Sequence, residues 1–217
     1  MDLALETWRY ALEHWDELRQ ATLDHLLLVT ISLVISLVIC IPLGIWTSHV
    51  KHRFSNIPIS TVSGLRVVPS LAILFLLVPY MGVGLDTALI ALTILAMPPI
   101  LINTDAAFRT IPPAIKEAAA GMGMTRREIL IKIEFPLALP VILTGIRAAS
   151  TEVIASATLA AFIGSGGLGL FVHRGYAMYR LPILFVGAIP IALLVLASEL
   201  LLSTLQRAIR PPWLVES

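Results

Sequence analysis

Charge is scarce in this chain. Lys, Arg, Asp and Glu make up 13% of its 217 residues, about half the usual share of a soluble domain. Hydrophobic residues make up 58%, and the mean hydropathy is +0.91. A soluble fold of this size has too little interior to hide that much apolar surface, so the composition is that of an integral membrane protein. There is one cysteine, Cys40, within an apolar run, which excludes an intrachain disulfide. No lysine follows a glycine, so a Walker A phosphate loop is excluded. HExxH and Cys–His metal spacings are also missing, and His14, His25, His49, His52 and His173 are scattered. The first residues are acidic, with no basic n-region of a cleaved signal peptide. The basic residues form no patch suited to nucleic acid. No catalytic set remains that would make the chain a membrane enzyme.

What is present is a series of apolar runs. Residues 1–20 carry Leu5, Trp8, Leu12 and Trp15 at helical spacing among Asp2, Glu6, Glu13, Asp16 and Glu17, which predicts an amphipathic interfacial helix anchored by two tryptophans. Membrane helices are predicted from Leu23 to Ser48, Pro58 to Tyr80, Leu85 to about Asn103 (ending at Met97-Pro98-Pro99), Leu137 to about Ile163 and Leu181 to about Leu205. Gly164 to Arg180 reads as a longer outer segment. Lys51, Arg53, Arg109, Lys116, Arg126, Arg127, Lys132, Arg207 and Arg210 fall on one side of these spans, and Arg9, Arg19, Arg174 and Arg180 on the other. The excess side is expected to be cytoplasmic, giving an outside N-terminus, five spans and an inside C-terminus. Nothing divides the chain 1–217 into two domains, and no internal repeat is evident.

One long polar interval interrupts the second half, at 112–136. Pro112 and Pro113 suit a helix start, and Ala114 to Ala120 is alanine-rich. Gly121 and Gly123 permit a tight turn. Thr125 with Glu128 three residues later is a capping box, Glu128 and Lys132 form an i,i+4 pair, and Pro136 is expected to stop the helix. Two short helices with basic flanks should therefore protrude from the membrane domain. On local chemistry alone, an amphipathic loop on the lipid surface is the alternative.

The same residues resemble the EAA motif of ABC-importer permeases: Glu117, Ala118 and Ala119, then Gly123, then Ile133, then Phe135-Pro136, with Phe135 in place of the usual leucine. The resemblance implies a type I importer bundle of about five membrane helices and a cytoplasmic coupling helix gripped by a separate ATPase. Glu117, Ala118, Ala119, Gly123, Met124, Thr125, Arg126 and Arg127 are the coupling residues it implies. Arg66-Val67-Val68-Pro69-Ser70-Leu71-Ala72, Asn103-Thr104, Pro136 to Pro140 and Ala157 to Gly169 further resemble the osmoprotectant permease subfamily, which imports glycine betaine, choline and carnitine. That resemblance implies a second permease subunit, identical or not, two ATPase subunits and a separate extracytoplasmic binding protein. It implies no cofactor in this chain, with ATP and magnesium on the ATPase, and a place in the bacterial inner membrane. The alternatives are an importer of another small solute such as methionine, or an autonomous channel or secondary carrier, which would need no EAA loop.

Ionisable groups inside apolar spans must face the bundle interior, water or a partner. Arg66, Arg147, Glu152 and Glu199 are such groups. Arg66, Pro69, Ser70, Arg147 and Glu152 are candidates for a translocation pathway or gate, and interhelical ion pairing or snorkelling is the alternative. Small residues from Ala148 to Ala161 suit close helix packing, a pathway lining, or both. Gly164-Ser165-Gly166-Gly167-Leu168-Gly169 formally matches GxGxxG. It follows an apolar helix with no βαβ unit around it, so it reads as a flexible outer connection rather than a nucleotide site.

Overall fold

The computed structural model describes residues 2–50 and 52–209, with the side chains of 52–56 set aside. The described chain consists of helices α1 (Leu3–Glu13), α2 (Trp15–His49), α3 (His52–Leu65), α4 (Ser70–Met81), α5 (Leu85–Arg109), α6 (Pro113–Gly121), α7 (Arg126–Ile129), α8 (Phe135–Ala160), α9 (Gly169–Ala177) and α10 (Leu181–Ile209). A π turn at Leu130–Glu134 joins α7 to α8, and a 3₁₀ turn at Ala161–Ile163 ends α8. Four helices are long and apolar enough to span a membrane, or five if the bent α3–α4 pair is one span. Lys51, the side chain of Arg53 and Arg210 lie outside the described residues.

The core is a three-helix stack of α2, α5 and α8. α5 is the most enclosed span, and Ala88, Ala91, Leu92, Leu95, Ala96, Ile100 and Leu101 are buried along it. Lipid supplies no hydrophobic drive between spans, so close backbone approach must do more of the work. Two glycines permit it. A Cβ on Gly44 of α2 would lie 2.6 Å from Thr104 Cβ of α5, and one on Gly145 of α8 would lie 2.6 Å from the Pro99 carbonyl and 2.7 Å from Asn103 Cβ. The small residues of α8 divide between two faces. Ala149, Ser150, Val153, Ser156, Ala157 and Ala160 are buried in the core, while Thr144, Ala148 and Ala155 are exposed.

Several elements depart from the sequence expectation. The interfacial helix ends at Glu13, and Trp15 to Arg19 already belong to α2. His14 marks the break, its ring stacked 4.0 Å from that of Tyr10. α1 packs on the first half of α10, while its stripe of Leu5, Trp8 and Leu12 stays exposed. The span predicted from Pro58 to Tyr80 is broken at Arg66–Pro69, with a 99° bend between 57–65 and α4. Proline disfavours helix in the residue before it and cannot donate; Pro69 accordingly caps α4, its carbonyl accepting from Ala72 and Ile73. In contrast, α5 runs through Pro98-Pro99 to Arg109, because burial of both prolines against neighbouring helices outweighs their missing donors. Pro136 likewise does not stop its helix. The π turn changes the bonding register just before it, Phe135 N–H donating to the Leu130 carbonyl, and α8 continues.

The segment after Gly164 is not a slack connection. Gly164, Gly166 and Gly167 adopt positive φ and turn the chain back. α9 then packs on α10, with Gly175 against Leu184 and Gly187 against Leu168 and Phe171. Arg174 donates to both carboxylate oxygens of Glu17, at 3.1 and 2.6 Å, tying α9 to the start of α2.

Candidate functional site

The element at 112–136 is assembled by local chemistry. Pro112 caps α6 and Pro113 opens it. α6 ends in a Schellman turn: Gly123 N–H donates to the Ala120 carbonyl at 2.9 Å and Met124 N–H to the Ala119 carbonyl at 3.2 Å, with Gly123 at φ +84. Thr125 then begins α7 with a complete capping box. Glu128 N–H donates to Thr125 Oγ1 at 3.3 Å, and Thr125 N–H donates to Glu128 Oε2 at 3.0 Å. Lys132 Nζ lies 3.0 Å from Glu128 Oε1. The continuous helix from Arg126 to Ile163 is 38 residues long, roughly 57 Å at 1.5 Å per residue, against an apolar membrane core of about 30 Å. Its polar first turns therefore project beyond the membrane. There the Thr125 backbone N–H holds the Glu128 carboxyl down at about 2, assisted by Lys132 and the Thr125 hydroxyl.

Of the predicted coupling residues, Ala119 is buried beneath the element. Glu117, Ala118, Gly123, Thr125, Arg126 and Arg127 are exposed, and Met124 is half-buried. Arg126 and Arg127 of this exposed set give the element a basic flank.

Sequence reasoning missed the contact beneath this surface. Glu134 closes the π turn with its side chain 5% exposed, and its two oxygens serve different helices. Oε1 accepts from Lys116 Nζ of α6 at 2.7 Å, and Oε2 lies 3.0 Å from His49 Nε2 at the end of α2. The three groups line a cleft of about 550 Å³ with Ile45, Trp46, Arg126, Ile129 and Leu130. Next to it lies an apolar layer of Phe108, Ile111, Ala138 and Ile142. Arg109 donates to Asp105 at 2.8 Å and to the Thr47 carbonyl at 2.6 Å, joining the ends of α5 and α2. The available signal was a glutamate flanked by Ile133 and Phe135, an acid at an otherwise apolar step.

The intramembrane charges separate into two groups. Arg147 of α8 pairs with Glu199 of α10, and donates to Gln206 at 2.7 Å. Gln206 in turn donates to the Pro140 carbonyl at 2.7 Å and to Thr144 at 2.9 Å. This network fastens α10 to α8 and gives Arg147 the interhelical partner that burial in an apolar span requires. Glu152 is half-buried and Arg66 exposed at the α3–α4 break. Among the described residues neither makes a salt bridge. Thr144, Ala148, Thr151, Glu152 and Ala155 line one side of an open groove of about 520 Å³ between α8 and Glu199 of α10. Pro69 and Ser70 sit at the bend rather than in this groove.

Known proteins share both sequence and fold with the chain. It is 38% identical to the carnitine transport permease protein OpuCB of Listeria monocytogenes, over 92% of this chain and 91% of that one. It is 35% identical to the choline transport system permease protein OpuBB of Bacillus subtilis (90% and 89% covered) and 34% identical to the osmoprotectant import permease protein OsmW of Salmonella typhimurium (95% and 98%). Its fold matches a chain of the MetNI methionine ABC transporter in an inward-facing conformation, with a TM-score of 0.82 and 21% identity, over 92% of this chain and 99% of that one. The family of binding-protein-dependent transport system inner membrane components matches residues 19–212. With four or five apolar spans and a polar element projecting from them, the chain belongs to this family, the inner-membrane permeases of ABC importers.

Proposed function

We propose that this permease imports quaternary ammonium osmoprotectants of the glycine betaine, choline and carnitine type. The observation that carries the cargo is the identity of 34–38% to carnitine, choline and osmoprotectant permeases over at least nine-tenths of this chain. The likeness to the methionine transporter, at 21% identity, speaks for the fold and not for the cargo. In this reading a second permease subunit completes the pathway, and a separate binding protein selects and delivers the solute. Two ATPase subunits, which carry ATP and magnesium, grip the surface at 112–136. The N-terminus lies outside and the C-terminus in the cytoplasm, consistent with the bias of basic residues toward the coupling side. No cofactor is expected on this chain itself. Quaternary ammonium groups are commonly held by aromatic cages; aromatics are 7% of this chain, which fits selection by the binding protein.

The test is reconstitution of the permease with an ATPase and a binding protein of an osmoprotectant importer. Wild type should co-purify with the ATPase and hydrolyse ATP in response to glycine betaine, choline or carnitine. Gly123→Asp should reach the membrane but lose both ATPase association and stimulated hydrolysis, because it forces a side chain into a left-handed turn and adds a charge to the docking surface. Full association and coupled uptake by that variant would remove 112–136 as the docking site. Stimulation by methionine alone would overturn the cargo.

A further inference from the structure

We propose that Glu134 is the joint through which movement of the docking element is passed to the membrane helices, with Lys116 and His49 as its two arms. The inference rests on the reading of 112–136 as the ATPase docking site. α6 packs chiefly on α7. Among the described residues, Lys116–Glu134 is the one side-chain hydrogen bond or ion pair that links α6 to another helix. The same carboxylate reaches His49, whose other ring nitrogen lies 2.8 Å from the Ile45 carbonyl one turn back on α2. The His49 ring also lies 6.1 Å from that of Phe108, at the buried end of α5. One buried group therefore touches the docking helix, the start of α8 and the end of α2.

The π turn is what brings Glu134 there. A π turn carries one more residue than an α-helical turn, so it rotates everything before it by about 100° relative to the helix that follows. Without it, Glu134 and the surface at 126–132 could not both hold their present directions. A carboxylate that is itself buried, with both oxygens engaged, resists separation from either partner, because a buried charge left unpaired is costly. Displacement of α6 by a bound ATPase must then either carry α2 and α8 with it or break the contact. Glu134, Lys116 and His49 are positioning residues in this scheme and need touch no solute.

The readout that distinguishes transmission from mere structural support is solute imported per ATP hydrolysed, measured in proteoliposomes holding the assembled importer. Glu134→Gln and Lys116→Met should keep membrane insertion and ATPase association. Their solute-to-ATP ratio should fall at least about fivefold, the lower end of the range for coupled sites. Lys116→Arg, which keeps the charge, should restore most of the ratio. Should Glu134→Gln fail to insert, Lys116→Met decides alone, since Lys116 is partly exposed and its loss leaves His49 beside the carboxylate. A wild-type ratio in Lys116→Met overturns the proposal, as does loss of association and hydrolysis in parallel with uptake. Failure of the wild-type protein to bind the ATPase would instead remove the docking assignment before any variant is read.

Discussion

Gly121 and Gly123 stand two residues apart in the proposed docking element, and the structure assigns them different duties. Neither is crowded, since a Cβ at either would meet no atom within 4 Å. Gly121 lies in the last turn of α6, where alanine is the better residue by about 0.5–1 kcal/mol. Gly123 holds φ +84, a region in which L side chains cost roughly 1–2 kcal/mol. Gly121→Ala should therefore leave transport intact and slow amide exchange across 113–121. Gly123→Ala should accelerate exchange there and weaken ATPase association, through backbone strain and without a clash. Both glycines were legible in the sequence as turn residues, but not which of them carried the left-handed conformation. The spacing is compatible with either, and only the two bonds from Gly123 and Met124 decide it. Glu134 was illegible for a different reason. Its partners Lys116 and His49 lie 18 and 85 residues away in the chain, and no local rule joins them.

The same contrast holds for whole elements. The capping box, the proline start of α6 and the Glu128–Lys132 pair were predictable because every partner lies within four residues. The fates of Pro69, Pro98-Pro99 and Pro136 were not, because a proline breaks, bends or joins a helix according to what surrounds it. At Pro69 the helix breaks. At Pro98-Pro99 burial holds α5 together, and at Pro136 a π turn absorbs the change of register. The cap of α7 yields a pH prediction. The Glu128 carboxyl sits at about 2 in the folded protein, below its ordinary value. Its contribution is therefore fully present above the ordinary carboxylate range and disappears as pH falls through about 2. Exchange protection of the Thr125 amide should persist as the medium is acidified to pH 4 and begin to fail only below it. In Glu128→Gln this acid dependence should vanish. Thr125→Ala should cost about 1 kcal/mol at neutral pH, a milder lesion than Gly123→Asp.

For the whole molecule, apolar run lengths gave four spans outright and a fifth where the bent α3–α4 pair is taken as one, and the basic residues proposed their orientation, but neither could indicate which helix faces remain uncovered. That distinction appears on α8. Its inner face, with Ala149, Val153 and Ala157, is closed against the core, while Thr144, Ala148, Thr151, Glu152 and Ala155 form an open face that carries a half-buried acid. Lipid is a poor neighbour for Glu152, and the small residues beside it would let another helix approach closely. We therefore propose this face for the contact with a second permease subunit and for the solute path. The exposed face of α10 differs: Leu193, Leu196 and Leu200 present only apolar bulk, which lipid accommodates. Ala148→Trp and Ala155→Trp should then insert normally but reduce uptake about tenfold or more, the scale of 1–3 kcal/mol of overpacking at a tight contact. Leu200→Trp, facing lipid, should transport like wild type. Cross-linking between permease subunits through cysteines placed at 148 or 155 supplies a second measure. Normal uptake by both α8 variants, with no cross-link formed, would place this face against lipid and move the pathway elsewhere.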